Sequence, residues 1–501
     1  MPNADSNLKL HYIYVFCAAA ILYAVTCAPG VLWQDSGLIQ YRVWHNDIEG
    51  RLGLALSHPL YYLIAIVAKH VPLGEFAYRI NVLNAIISAI AVANLFLLLR
   101  LLLGETFSAL LGAVTFALSH TFWLHSTMPE TYGLAVTLLL LELIMLLLYA
   151  KTSHVKYLYF LTLINGLAIA NHMMASIAFI CYLVLFFVLL FTKQIKIKHL
   201  GLMAIFWIVG AIPYEFLIIK NIIQSGDFLG TLSSAVFGNS WQGAIFNTKL
   251  SINVVKENFM YILLNFPTPN ILLCLVGFGC LYMVSPKRWY ANVLIGLLVL
   301  YFIFAFRYTV PDRYAFFIPF YCMLSILIGA GTYSYLRKSS GGFYLFTVFC
   351  LIVIPVYAML PKIADDIGIK IGSGRKLYYR DDSTYFMYPW KINYNGAKNF
   401  ARQALYNVNP PAIIYADATA APPLLYAQQV WKDREGEDIK IISSIGSSEN
   451  SPDFNAQTIK KIMSERNIYV VSPIRGYCPD FLLRQYRFEP WGVLWHAAGE
   501  K

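Results

Sequence analysis

Apolar residues in this chain gather in blocks about as long as a bilayer is thick. Blocks near 11–29, 76–103, 106–124, 129–150, 157–173, 175–192, 200–220, 259–283, 289–307, 312–336 and 342–360 predict eleven membrane-crossing helices. A crossing helix needs ~20 predominantly apolar residues, whereas a buried strand shows a run of only about 4–8. The stretch Ser57 to Val71 is apolar as well, but it is short, carries His58, Lys69 and His70, and starts at His58-Pro59. It reads as an interfacial helix. The first block, from His11 to Ala28, reads as an uncleaved helix: it is longer than a signal-peptide core, and Lys9 is the lone basic residue ahead of it.

Polar positions set the orientation. With eleven spans and the N-terminus inside, every inner turn carries cations: Arg100; Lys151 and Lys156; Lys193, Lys196 and Lys198; Lys287 and Arg288; Arg337 and Lys338. This is the bias expected of cytoplasmic loops. Three segments then share the outer face: a first loop of about 29–75 with Trp33-Gln34-Asp35-Ser36-Gly37, a second of 221–258 with Gly226-Asp227 and Trp241-Gln242-Gly243, and everything beyond residue 360. The organisation expected is a membrane domain over 1–360 and an extracytoplasmic domain over 361–501. In the latter, short apolar runs at 412–415, 439–443 and 468–472 read as strands, with helices at 422–431 and 455–464 between them, a small α/β unit with a partly parallel sheet.

Composition narrows the function. Charged residues make up 13% of the chain, about half the usual share for a soluble domain, which excludes a soluble enzyme. The net charge of +11 is spread over inter-helix turns rather than along one folded face, which argues for lipid or phosphate and against nucleic acid. Seven of the eight cysteines lie in apolar runs and leave Cys478 alone in the polar domain, so no disulfide framework is expected there.

Candidate chemistry sits at the outer helix ends. Asp35, between tryptophan-bearing apolar segments, can meet both lipid and water; it suits a general base or, equally, a helix N-cap. Glu130 in Met128-Pro129-Glu130-Thr131 divides between a catalytic role and a helix-dipole partner. His58 divides in the same way between a turn former and a site-lining group. Arg79 and Arg313, the latter in Pro311-Asp312-Arg313-Tyr314, stand at the depth of a lipid-linked phosphate, with His172 as a third contact and Tyr314 and Glu215 as site-lining groups. Glu142 lies toward the inner half of its span and is a poor candidate for outer-face chemistry.

Taken in order, Asp35, His58-Pro59, Ala77-Tyr78-Arg79-Ile80-Asn81, Ala117-Leu118-Ser119-His120-Thr121-Phe122-Trp123, Pro129-Glu130-Thr131-Tyr132 and, near the C-terminus, Ala416-Asp417-Ala418-Thr419 with Pro423-Leu424-Leu425-Tyr426-Ala427-Gln428 resemble the GT-C glycosyltransferases that use polyprenyl-phosphate sugars, in the branch of the protein O-mannosyltransferases. The resemblance implies a GT-C-like bundle and inverting transfer of one hexose or pentose from a polyprenyl-phosphate carrier to a hydroxyl of a protein Ser/Thr, a lipid or a cell-surface glycan. It also implies that Asp35 is the catalytic carboxylate and that Arg79 and Arg313 hold the carrier phosphate; by position Glu130 joins Asp35 as a catalytic candidate, and His172 joins the phosphate contacts. A bacterial inner membrane with a periplasmic site is the expected setting. Two departures stand out: Ser36 follows Asp35 where many relatives have a second acid, and the C-terminal domain reads as α/β where many carry a β-trefoil. No cofactor is expected, although a divalent cation is compatible with the resemblance; one outer-loop aspartate and a distant glutamate form no recognisable metal cage. The rival reading is a transporter or flippase for lipid-linked sugars without transferase activity.

Overall fold

The long apolar blocks form helices because only a helix satisfies its own backbone in hydrocarbon. The computed structural model describes residues 2–72, 74–238, 251–308, 310, 312–337, 341–369, 371–372, 374–443 and 454–501. Trp241-Gln242-Gly243 and Lys338 lie outside the described residues. In chain order the helices are α1 (Pro2–Thr26), α2 (Gln34–Trp44), α3 (Pro59–Ala68), α4 (Phe76–Leu103), α5 (Thr106–Ala117), α6 (His120–Ser126), α7 (Tyr132–Thr152), α8 (Lys156–Asn171), α9 (Ala175–Phe191), α10 (Ile197–Ser225), α11 (Phe228–Phe237), α12 (Ile252–Asn265), α13 (Leu273–Val284), α14 (Arg288–Arg307), α15 (Ile318–Leu336), α16 (Gly342–Leu351) and α17 (Val353–Asp366).

Among the described residues, seven helices are long and apolar enough to cross a membrane, and two bent pairs raise the number to nine. The other two expected spans, α8 and α9, have 16 and 17 residues. At 1.5 Å per residue they reach about 24 and 26 Å, short of the ~30 Å hydrocarbon core. The protein is thus an integral, multi-pass membrane protein. Ser57–Val71 forms the short helix α3, apart from the spans, as expected.

Two helix pairs are bent. The α5–α6 pair turns by 70°, and α12 turns by 107° into the segment Pro269–Val284. The prolines after Asn265 explain the second break, since neither Pro267 nor Pro269 can donate a helical hydrogen bond. The two breaks satisfy each other: Thr121 N–H donates to Asn265 Oδ1 at 2.8 Å, and Asn265 Nδ2 donates to Thr121 Oγ1 at 2.9 Å. Broken backbone at membrane depth is tolerated where protein supplies such partners.

Beyond α17 come α18 (Asp382–Met387), α19 (Gly396–Asn407), α20 (Ala421–Gln429), α21 (Ile459–Glu465) and α22 (Asp480–Gln485), with strands β1 (Ala412–Ala416), β2 (Ile439–Ser443), β3 (Asn467–Val470), β4 (Tyr486–Trp491) and β5 (Leu494–Glu500). The sheet order is β2-β1-β3-β5-β4. β1 is parallel to both β2 and β3, and β5 is antiparallel to β3 and β4. The three expected strands and both helices are present; the β4–β5 hairpin is an addition. One apolar cluster joins this domain to the segment after α1, uniting Leu32, Trp33 and Ile39 with Phe400, Ala421 and Leu424.

Candidate functional site

The loop before Asp35 is irregular backbone in a buried place, so its polar groups need partners. Gln40 and Asn81 supply them. Leu32 N–H donates to Gln40 Oε1 (3.0 Å), Gln40 Nε2 donates to Asn81 Oδ1 (2.7 Å), and Asn81 Nδ2 donates to the Ala28 and Gly30 carbonyls (2.7 and 3.0 Å). Ala28 N–H donates to Thr127 O at 3.0 Å, which fastens this loop to the turn that carries Glu130. Gly37 is required here: a Cβ would stand 2.2 Å from Leu32 O and 3.1 Å from Pro422 Cβ.

Asp35 lies in the first turn of α2, where the helix dipole favours an anion. The helix begins at Gln34, and the cap position, Trp33, makes no side-chain cap bond. Among the described residues, nothing hydrogen-bonds the Asp35 carboxylate. It keeps solvent-accessible surface although protein surrounds it, and this desolvation raises its pKa above the ordinary carboxylate range.

Glu130, two residues before α7, accepts from Ser36 Oγ at 2.9 Å. Desolvation and then the charge of Asp35 hold its pKa well up, with Ser36 partly opposing. Asp312, just before the start of its span, is pushed up to about 6 by desolvation and by Asp35. Asp312 was legible in the Pro-Asp-Arg-Tyr string but eclipsed by its neighbour Arg313; its place at an outer helix start, like that of Glu130, was the available signal.

A chain of aromatic rings runs from His58 to Tyr314. His58 lies tilted against His172 with ring centroids 4.9 Å apart, His172 meets Tyr132 at 5.6 Å, Tyr132 meets His125 at 5.3 Å, and His125 meets Tyr314 at 5.5 Å. His58 is left-handed (φ +51°) immediately before Pro59, a strained setting. Its Nδ1 lies 2.7 Å from Asn171 O, so Nδ1 carries the proton, and burial lowers its pKa to about 4. His172 Nδ1 accepts from Met174 N–H (3.1 Å), which places its proton on Nε2. Both rings are neutral at pH 7.

The cations are distributed differently. Arg79 Nη1 donates to the Lys69 and Val71 carbonyls (2.7 and 2.6 Å) at the end of α3, while its Nε is buried without a partner among the described residues. Arg313 is buried and paired with Glu257. Among the described residues, no hydrogen bond or ion pair ties Glu215, on α10, to the cluster. Two further cations come from the C-terminal segment. Arg380 lies over Tyr385 (4.6 Å), donates Nη2 to Gln34 Oε1 (3.1 Å) and Nε to Asp382 (2.5 Å), and keeps Nη1 buried and unpartnered among the described residues. Lys391 is buried, donates to Tyr388 O at 2.7 Å, and is brought down to about 7 by desolvation and by Arg380. Sequence spacing offered no sign of either, because more than 300 residues separate them from Asp35. Among the described residues no three His, Cys, Asp or Glu side chains are arranged to hold a metal ion.

The Asp35 carboxylate, free of hydrogen bonds among the described residues, thus stands where a bundle with two bent helix pairs meets the C-terminal α/β domain, and the comparisons identify the fold. The chain superimposes on ArnT from Cupriavidus metallidurans bound to undecaprenyl phosphate with a TM-score of 0.62 at 12% identity, covering 97% of this chain and 98% of that one. ArnT in the apo state gives 0.60 at 12% identity over 92% and 93%. Residues 56–198 match the family described as the protein O-mannosyl-transferase TMEM260 N-terminal domain. Mouse protein O-mannosyl-transferase TMEM260 is 23% identical over 220 residues, 42% of this chain and 30% of the mouse protein's length. The chain therefore has the GT-C fold and resembles the protein O-mannosyltransferases.

Proposed function

We propose that the protein is a membrane glycosyltransferase that moves a single sugar from a polyprenyl-phosphate carrier to an acceptor hydroxyl on the extracytoplasmic face. The carrying observation is the Asp35 carboxylate: accessible, free of hydrogen bonds among the described residues, and raised in pKa, as suits a base working near neutral pH. In this reading Asp35 takes the hydroxyl proton as the acceptor oxygen attacks the anomeric carbon. The bond from that carbon to the phosphate oxygen breaks with inversion, and the polyprenyl phosphate leaves with the electron pair. Glu130 positions the acceptor, and Arg79, Arg313 and His172 hold the phosphate, with His58 and Tyr314 lining the site. The undecaprenyl phosphate bound to the similarly folded ArnT supports a lipid-linked donor, and the O-mannosyltransferase likeness supports a protein or glycan acceptor. A bacterial inner membrane with the site on the periplasmic side fits the distribution of basic turns.

Purified protein in detergent, given a panel of hexosyl and pentosyl polyprenyl phosphates and candidate acceptors, should release polyprenyl phosphate and glycosylated product. A flippase would reorient the donor in vesicles and leave it intact; that outcome would replace this reading.

A further inference from the structure

The string Asp417-Ala418-Thr419 stands immediately after β1, far from Asp35 in sequence. Arg375 Nη1 and Nη2 donate to Asp417 Oδ2 and Oδ1 at 2.7 and 2.8 Å, with the guanidinium 3.9 Å from the Tyr477 ring centroid. Both side chains are over nine-tenths buried. Arg375 Nη1 also reaches Ser472 Oγ at 3.3 Å, just beyond β3. Arg375 thus fills the crevice outside the carboxyl ends of two adjacent parallel strands, where open α/β sheets ordinarily receive a ligand. This crevice is occupied from within.

Asp417 Oδ1 accepts in addition from Thr419 N–H at 2.9 Å, which fixes the turn, and Thr419 O in turn accepts from Gln34 N–H at 3.2 Å. Gln34 precedes Asp35 and is held at φ +54°. A non-glycine residue keeps that conformation only when its surroundings enforce it. A second tether, Arg380 to Gln34 Oε1, comes from the same stretch of chain.

We infer that the Arg375–Asp417 pair is a positioning device that, through Thr419 and Gln34, fixes the direction in which Asp35 presents its carboxylate. This inference rests on Asp35 as the base, and it explains what the C-terminal domain contributes, since that domain then completes the catalytic loop. Removing one partner of a buried bidentate pair leaves the other charge uncompensated, so the turn should shift, and a base displaced by about 1 Å loses on the order of 10²-fold in rate.

The test uses the full-length protein in detergent, with hydrogen–deuterium exchange and transfer kinetics measured together. Asp417→Asn should speed exchange in the peptide spanning residues 30–41 and lower kcat about 10–100-fold, with donor KM within about twofold. Arg375→Lys, which keeps the charge but loses the fork, should give a smaller change in the same direction. Gln34→Ala removes only the second tether and leaves the domain core intact, so it serves if Asp417→Asn fails to fold; it should also lower kcat while sparing KM. Turnover lost with faster exchange confined to residues 409–430 would overturn the inference, as would a loosened Asp35 loop with normal kcat. If instead Asp35→Asn keeps full turnover, the base assignment is what fails, and the exchange data still report whether the tether exists.

Discussion

Two acidic sites in this molecule, one around Asp35 and one inside the bundle, are built on opposite terms. Glu142 is 1% exposed, and its carboxylate is fully engaged. It accepts from Tyr182 OH at 2.9 Å and Asn165 Nδ2 at 3.1 Å, and Asn165 Oδ1 accepts in turn from Trp207 Nε1 at 3.1 Å. Asp35 has open surface, no hydrogen-bond donor among the described residues and two acidic neighbours. A closed network fixes helices to one another, and a carboxylate left unpaired at a structural cost is the one available for chemistry.

The largest effect that separates the two sites is on turnover. Asp35→Asn keeps the side chain's size but cannot accept a proton at neutral pH, so kcat should fall about 10²–10⁴-fold while folding and donor binding persist. Near-normal transfer by a well-folded variant would erase the distinction, and Glu130 would become the candidate base. Glu142→Ala should reverse the pattern: Tyr182 and Asn165 lose their acceptor, and stability falls by about 2–4 kcal/mol by thermal or denaturant titration. Turnover per folded molecule should hold, and Glu142→Gln should restore much of the stability.

Asp312 sharpens the comparison through pH. Its folded pKa of about 6 lies above the ordinary value of about 3.9, so the unfolded chain releases this proton first. The native state is favoured at acid pH, and that advantage fades as pH rises from about 4 through 6. Asp312→Asn should therefore raise stability at pH 7 by about 1–3 kcal/mol and leave it unchanged below pH 4. It also removes a negative neighbour of Asp35, so the acid limb of the kcat/KM profile, expected above the ordinary carboxylate range in the parent, should move to lower pH. An unmoved limb would separate Asp312 from the base. The smallest effects belong to Arg79→Ala and Arg313→Ala, expected to raise donor KM several-fold with kcat nearly unchanged, because phosphate contacts serve ground and transition states alike. A tenfold loss of kcat at constant KM would refute the phosphate role for that residue.

Much of this architecture was legible in advance. Length and apolarity marked the spans, and the shortness and charges of Ser57–Val71 set it apart from them. Local apolar runs revealed β1, β2 and β3. The bend between α5 and α6 was not legible, because a chain broken by 70° keeps the same apolar composition as a straight one, whereas the 107° break after α12 is marked by Pro267 and Pro269, which the apolar run alone passes over. The sequence also left Asp35 balanced between cap and base; the start of α2 at Gln34 puts Asp35 inside the first turn rather than at the cap.

By itself, then, the sequence determined what solvent each segment requires, since the transfer of apolar side chains to lipid depends on local composition alone. It also placed Asp35, Glu130 and Arg313 at helix ends on one face. Only the tertiary structure decided which of these groups meet. Asp312, just before the membrane helix Arg313–Leu336, interacts with Asp35 in the first loop, Arg380 reaches Gln34 across 346 residues, and Arg375 with Asp417 anchors the turn that holds Gln34. Such contacts depend on how helix ends and a distant sheet pack together, and a hydrogen bond of about 3 Å between groups hundreds of residues apart leaves no local pattern in the chain.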